Sequence, residues 1–429
     1  MHETQCSNLT TGNKHYSSTV LQSNQISFVF TAPYDNEESQ REGSTFPHPQ
    51  YDQGMAHAFI KKHGLAVRAI GIQVGDAREA FEKSVENGAV GVCPPTELVD
   101  TASGNTMVVS EIKSVDDVVL RFVSGDFEGP FLPNMTPVNT PDINYGLTRM
   151  DHIVTNVPVL FDAVDYLIGA AGLHEFAEFT ADDVGTVDSG LNSMVLANNS
   201  ETVLMPFNEP THGTKRQSQI QTYLDHNNGS GVQHIALKTD DIFRTMRELR
   251  QRSLCGGFEF MPAPNQFYYD NVPARIGEDT LTADQLKELQ ELGLLADRDD
   301  QGVLLQVGGC AAALCMCCLT VGGGGCALCM CCLTVCVCVY RCSRSPSEIA
   351  PLCSLRSFSA LAVTVMSTTN QWSRLRGVEA SGREISQSCS NQLRSTKSKW
   401  KRVRRRPLRE GLGCAENVTL CVGVSLGPA

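Results

Sequence analysis

Two histidines stand in settings that suit metal chemistry. His152 lies in Met150-Asp-His-Ile-Val-Thr-Asn-Val157 and His234 in Gly231-Val-Gln-His-Ile-Ala-Leu-Lys-Thr-Asp-Asp241, 82 positions further on. Each is near the start of a short run of alternating β-branched and other residues, and a helix-like run follows each. Two matched strand-and-helix units that each present one imidazole can bring both rings to one ion. Neutral imidazole suits iron, zinc or copper, and a pair of histidines leaves room for a third ligand and a substrate. A lone strand histidine is ordinary; the duplicated setting gives this pair its weight.

The elements that position them repeat along the chain. No clear element is expected before Gln25-Ile-Ser-Phe-Val-Phe30, a strand ending at Ala32-Pro33, and the polar segment Asn36 to Gln53 reads as a loop. Val67 to Ile72 reads as a strand, Asp76 as the N-cap of a helix reaching about Asn87, and Thr106 to Ile112 and Val118 to Val123 as strands. The Pro-rich stretch Gly129 to Pro141 reads as a linker. The order then returns: a strand at Asp151, a helix from Val157 to about Ala171, and strands near Phe176, Ser193 and Val203. A further unit opens at Val232, and Asp240-Asp241 cap a helix whose Ile242, Met246 and Leu249 recur at helical spacing. Leu281 to Leu295 reads as a helix and Gly302 to Gln306 as a strand. Aligning Val67-Arg-Ala-Ile-Gly-Ile72 with Val232-Gln-His-Ile-Ala-Leu237 sets Ala69 where His234 stands, so the first half has the scaffold without the ligand.

Charge and cysteine divide the chain differently. Residues 1 to 307 carry a net charge of −22 and residues 308 to 429 a net of +10. Eleven of the 18 cysteines fall between Cys310 and Cys342, and only Cys6, Cys93 and Cys255 precede them. Three scattered cysteines in an acidic body imply a reducing, intracellular setting rather than a disulfide framework, and the polar first 25 residues carry no signal-peptide pattern.

Longer stretches carry a resemblance. Phe28-Val-Phe-Thr-Ala-Pro-Tyr34, His174-Glu-Phe-Ala-Glu-Phe-Thr-Ala-Asp-Asp-Val-Gly185, Ser189-Gly-Leu-Asn-Ser193, Asn208-Glu-Pro-Thr-His-Gly-Thr-Lys215, Ser218-Gln-Ile-Gln-Thr-Tyr-Leu224 and Asp297-Arg-Asp-Asp-Gln-Gly302 resemble, in order, the plant and algal branch of the 4-hydroxyphenylpyruvate dioxygenase family. The resemblance covers roughly Tyr16 to Val307. It implies an α+β fold of tandem βαβββ vicinal-oxygen-chelate modules in two half-barrel domains: residues 16–136, without metal chemistry and lacking the family's first strand and helix, and residues 149–307, catalytic and lacking the last strands and C-terminal helix.

The resemblance also implies Fe(2+) held by His152, His234 and a glutamate, with Ser193, Asn208, Gln219 and Gln306 lining the substrate pocket. The implied reaction takes 4-hydroxyphenylpyruvate and O2 to homogentisate and carbon dioxide, in tyrosine and phenylalanine catabolism. Related two-module enzymes, 4-hydroxymandelate synthase or an extradiol dioxygenase, are the alternatives, as is a non-catalytic product. Self-association as a homodimer and a cytoplasmic setting, with a plastid also open, complete the expectation.

After Val307 the family pattern stops. No Asp or Glu occurs between Gln301 and Ser347, so the third ligand is missing from its place. Residues 308–429 read as a Cys-rich and then basic tail, disordered and unrelated to the family, with Ala313 to Val321 repeated as Ala327 to Val335. The alternating Cys336-Val-Cys-Val339 is what a TG dinucleotide repeat encodes. Four consecutive glycines interrupt the uncharged run, which argues against a membrane span. The spacing in Cys-Met-Cys-Cys is not that of a thiolate metal pair, and Lys397 to Arg406 reads as a solvated charge cluster, so neither membrane nor nucleic acid is an expected partner.

Overall fold

The computed structural model of the chain describes residues 1–37, 41–179, 190–213, 217–252, 258–260, 263–298, 302–311, 334–342 and 418–423. The first half runs β1 (His2–Ser7), β2 (Tyr16–Ser23), β3 (Ile26–Pro33), α1 (Gln53–His63), β4 (Ala66–Gln73), α2 (Ala77–Glu86), β5 (Gly91–Val99), β6 (Thr106–Val115), β7 (Val118–Gly125) and the short β8 (Thr136–Pro137). The second runs β9 (Leu147–Asn156), α3 (Leu160–Ala171), β10 (His174–Phe179), β11 (Leu191–Ala197), β12 (Leu204–Pro210) and α4 (Gln219–Asn227). After them come β13 (Gly231–Thr239), α5 (Ile242–Arg252), β14 (Phe258–Phe260), α6 (Gln266–Asp270), α7 (Val272–Ile276), α8 (Ala283–Glu291), β15 (Leu295–Arg298), β16 (Gly302–Ala311), β17 (Thr334–Cys342) and β18 (Val418–Gly423).

The strands form two sheets, ordered β5-β6-β7-β4-β18-β3-β2-β1-β8 and β10-β11-β12-β9-β13-β17-β16-β14, with β15 on β16. Each contains a strand, a helix and three further strands in sequence, β4-α2-β5-β6-β7 and β9-α3-β10-β11-β12. The four expected helices form as α2, α3, α5 and α8, although α8 ends at Glu291 and Leu295 opens β15, and α4, α6 and α7 are further helices that the sequence reading did not mark. Asp76 caps α2 by accepting from the backbone N–H groups of Arg78 and Glu79, and Ile242, Met246 and Leu249 are the buried stripe of α5.

Four expectations need correction. β1 and β2 both precede Gln25, before which no clear element is expected, and β1, which pairs antiparallel with β2, also starts the first sheet earlier than the expected boundary at Tyr16. Its hydrophobic signal is absent because its buried positions are polar: Gln5 and Ser7 face inward, and Ser7 accepts from Asn13 Nδ2 at 2.9 Å. The helix α1 follows the expected loop, although its sequence shows only a weak apolar stripe. β5 is a strand despite Pro94 and Pro95, because it lies at the sheet edge and its register shifts around Cys93 accommodate them.

The tail is the fourth. Two of its segments join the sheets: β17 lies parallel to β13 and antiparallel to β16, and β18 lies parallel to β3 and antiparallel to β4. Thr334-Val-Cys-Val-Cys-Val-Tyr is rich in residues that fit a pleated strand, and an unpaired strand edge accepts such a segment. The Cys-rich duplication up to Leu333 and the basic run Lys397 to Arg406 lie outside the described residues.

One core joins the two halves. Ile70, Leu120 and Phe122 from the first pack in the same buried cluster as Leu160, Leu167 and Ile235 from the second, and α2 packs against α3. Hydrogen bonds reinforce the join: Asp116 Oδ2 accepts from the Ser230 N–H at 2.7 Å, and His63 Nδ1 meets the Asn227 carbonyl at 2.6 Å. Tyr166 on α3 uses its hydroxyl twice, donating to the Lys113 carbonyl at 2.9 Å and accepting from the Val90 N–H at 3.2 Å. Tyr166→Phe removes both bonds while keeping the ring. We expect it to lower stability by about 1 kcal/mol in urea unfolding, with a single transition retained if the halves unfold together.

Candidate metal and substrate site

β9 and β13 lie side by side and antiparallel, with His152 paired to Ala236 and His234 to Val154. The histidines are therefore diagonal neighbours on one face of the second sheet. Their ring centroids are 5.7 Å apart with the planes at 81°, and both are buried, at 2% and 6% exposure. The second sheet thus brings together the two rings that the repeated motif singles out.

The backbone around each histidine is irregular in the same way. The register shifts between Val232 and His234 on β13, and between Met150 and His152 on β9, which leaves Gln233 and Asp151 as the extra residues. In a regular strand the residue before a histidine points to the other face. Here each one reaches its neighbour: Asp151 Oδ2 is 3.1 Å from His152 Nδ1, and Gln233 Oε1 is 3.0 Å from His234 Nδ1. With Nδ1–H donating to these oxygens, Nε2 is the basic nitrogen of each ring, the arrangement that orients histidine metal ligands. Arg149 in turn donates to Asp151 Oδ1 at 3.2 Å.

Electrostatics favours the same state. Burial opposes ionisation of Asp151, but the His152 hydrogen bond and the nearby positive groups Arg149 and Lys238 outweigh it and hold the carboxyl below the usual carboxylate range. Burial pushes His234 down to about 3, with His152 adding to the effect. The His234 ring is therefore neutral at ordinary pH, as a metal requires.

The polar residues expected around the pair are spread over the adjoining strands. Asn208 on β12 pairs with Asn156 on β9, and Ser193 on β11 pairs with Asn208. Across β13, Lys238 pairs with Cys338 and Cys338 with Gln306 on β16. By this register Ser193, Asn208, Gln306 and both histidines share one face, and Ser193, Asn208 and Gln306 are all buried. Gln219 differs: it is half-buried in the first turn of α4, whose Ile220 and Leu224 pack with Leu191, Val195, Ala236 and Leu304 in an apolar cluster over that face.

Asp151, Gln233 and Asn156 are site residues that the sequence reading missed. Asn156 is fully buried, its Oδ1 accepts from Asn208 Nδ2 at 3.2 Å, and its own Nδ2 has no hydrogen-bond partner among the described residues. Its position four residues after His152 on the same strand was the available signal. Asp151 and Gln233 offered none, because alternation places them on the opposite face.

The donor set fits two positions of a metal ion and is incomplete beyond them. Among the described residues, no group of three or more His, Cys, Asp and Glu could hold an ion. The strand beside His234 is β17, with Thr334 opposite His234, and Thr334 to Cys342 contains no carboxylate.

The fold and this face define a two-module member of the vicinal-oxygen-chelate class, and comparison with known proteins agrees. Residues 149–279 match the Glyoxalase/Bleomycin resistance protein/Dioxygenase superfamily. A 4-hydroxyphenylpyruvate dioxygenase of Daucus carota is 53% identical over 306 residues, 70% of this chain and 68% of the relative, and one of Arabidopsis thaliana is 51% identical over 311 residues with the same coverage. A solved variant of 4-hydroxymandelate synthase from Streptomyces coelicolor shares the fold, with a TM-score of 0.60 at 19% identity over 80% of this chain and 86% of that one. The chain belongs to the 4-hydroxyphenylpyruvate dioxygenase family. Among the described residues, no helix is long and apolar enough to cross a membrane.

The lowered His234 value sets a pH dependence. Between the unfolded value of 6.5 and about 3, the unfolded chain binds a proton that the folded chain refuses, so stability falls as pH falls through this window. His234→Asn removes that contribution. Urea midpoints measured from pH 7 to about pH 5 should drop less steeply for the variant than for the parent chain; equal slopes would show that His234 is not held neutral.

Proposed function

We propose that the chain acts on 4-hydroxyphenylpyruvate, with His152 and His234 supplying two ligands to ferrous iron on the polar face of the second sheet. The observation that carries this reading is the pair of buried imidazoles, 5.7 Å apart between centroids, each with Nδ1 engaged by the residue before it. Family membership supplies the substrate and the expected product, homogentisate. Iron, when bound, would supply the Lewis-acid and redox chemistry that oxidation of a 2-oxo acid by dioxygen requires.

The chain's own residues bind and orient. Asp151 and Gln233 hold the two imidazoles in the tautomer with Nε2 available. The Asn156 Nδ2 donor and the Asn208 side chain lie together at one side of the pair, suited to oxygen atoms of the substrate. Ser193 extends this polar strip, and Gln306 gives a second polar position across β13. The apolar cluster of Leu191, Val195, Ile220 and Leu304 would meet an aromatic ring and keep water from it. Gln219, in the first turn of α4, would contact substrate from that helix.

A second reading rests on β17. With no carboxylate between Thr334 and Cys342, iron affinity falls well below that of a complete triad, since loss of even an outer partner costs about 10–100-fold. The chain would then keep the family fold without turnover.

Anaerobic ferrous iron titration together with product chromatography separates the two. Under the first reading, iron binds in the micromolar range, homogentisate accumulates, and His152→Ala and His234→Ala each weaken iron binding by at least about tenfold. Hydroxymandelate as product overturns the substrate outcome in favour of the sister enzyme. A folded chain that neither binds iron nor forms product establishes the second reading.

A further inference from the structure

Neither histidine of the site belongs to the first module, yet two of that module's hairpin tips touch the strands that carry them. β2 and β3 meet with Ser23 opposite Ile26, and β6 and β7 with Val115 opposite Val118, so each tip is a two-residue turn. The leading residues, Asn24 and Asp116, take left-handed backbone, with φ of 50° and 41°. Asn and Asp are the side chains that tolerate this conformation best, and a tight hairpin calls for it.

Each tip holds the entrance to one histidine strand. At the first, the Gln25 N–H donates to the Thr148 carbonyl at 3.0 Å and Asn24 Nδ2 to the Leu147 carbonyl at 2.6 Å. Thr148 is the extra residue where the pairing of β9 with β13 shifts between Lys238 and Thr239, so the tip bonds a carbonyl at a break in the ladder. At the second, Asp116 Oδ2 accepts from the Ser230 N–H at 2.7 Å, one residue before β13 begins. The end of α1 grips the same turn: the Lys62 carbonyl accepts from Asn228 Nδ2 at 2.8 Å, and His63 Nδ1 meets the Asn227 carbonyl at 2.6 Å. Gly229 completes the fit, since a Cβ there would sit 2.9 Å from Asp116 Oδ2. Every residue from Asn227 to Ser230 therefore meets the first module.

Thr148 and Ser230 each stand four residues before a histidine. Between each anchor and its ring lies one bulge, with Asp151 or Gln233 as the extra residue. The segment upstream of a bulge can remove it by slipping one residue along its partner strand. That slip would return Asp151 or Gln233 to regular alternation, and so to the opposite face, taking the acceptor from the neighbouring Nδ1. An anchor on the upstream segment prevents it. The tautomer of each ring then depends on contacts made by the other module.

We propose that the β2–β3 and β6–β7 tips of the first module position the two imidazoles, Asn24 and Gln25 acting on His152 through β9 and Asp116 acting on His234 through β13. The proposal rests on the role given above to these rings as ligands. It gives the module that supplies neither histidine a part in the site.

Selective isotopic labelling of histidine nitrogen in the full metal-free chain, with ring-nitrogen correlation spectra at mildly alkaline pH, reads each tautomer directly. His152→Asn and His234→Asn assign the signals. We expect Nδ1–H on both rings of the parent chain. Asp116→Gly keeps the left-handed turn and deletes the acceptor, so it should turn the His234 signals into a mixture of tautomers and leave those of His152 unchanged. Asn24→Gly should do the reverse. Asp116→Asn retains an acceptor oxygen and should keep the parent pattern. Tyr166→Phe weakens the same join away from both strand entrances, and should lower stability with both patterns intact. Unchanged His234 signals in Asp116→Gly, equal changes at both rings in Asp116→Gly and Tyr166→Phe, or a parent chain without the Nδ1–H pattern would each overturn the proposal. The spectra need no metal, so their outcome is separate from whether the chain binds iron.

Discussion

The buried contact between Asp151 and His152 is the interaction on which the second sheet's chemistry depends. A carboxylate at 3% exposure is costly unless paired. Here it is met by the His152 ring at 3.1 Å and by Arg149 at 3.2 Å. The bulge that leaves Asp151 unpaired in the ladder turns its side chain onto its neighbour, and the matching bulge at Gln233 does the same for His234. Two local departures from regular pairing thus orient both rings. A strictly alternating pair of strands would hold the histidines in place without holding their tautomers.

That face is shaped by strands distant in sequence, and β17 is the most consequential. It fills the place between β13 and β16 and gives their edges a partner, so the sheet is continuous through a segment that does not resemble the family. Backbone pairing asks only for an extended, β-prone chain, which alternating Val and Cys supply. Metal ligation asks for a particular side chain, and no carboxylate stands between Thr334 and Cys342. Sheet completion and site completion are therefore separable requirements, and this chain meets the first more fully than the second.

The two modules show what one scaffold does with different residues at matched positions. Where the second presents His234, the first presents Ala69, and the small side chain leaves open space rather than an imidazole. Around that space the first module has guanidinium, phenol and imidazole groups, whose balance of charge and donors differs from the amide and hydroxyl groups of Asn208, Asn156 and Ser193. The shared core through Phe122, Leu160 and Ile235 makes the modules one packed unit, with two concave faces of different chemistry.

Much of the fold was legible because burial imposes period. The strands β4, β7, β9 and β13 and the helices α2 and α5 bury regular apolar faces, and the repeated His-Ile motifs mark the central strands of the second sheet. β1 escaped notice because its inward residues are polar, and β17 because its sequence reads as simple repeat; each is a strand only because a neighbouring edge is there to pair with it. The sequence by itself determined the family, the module pattern and the pair of candidate histidines, since these reside in side-chain identity and spacing. Tertiary structure alone decided that Asp151 and Gln233 reach their neighbouring histidines, that Asn156 lies beside them, and that the first module opens a pocket lined by both apolar and polar residues. These depend on strand register and bulges, which arise from pairing between segments far apart in the chain and leave no local trace.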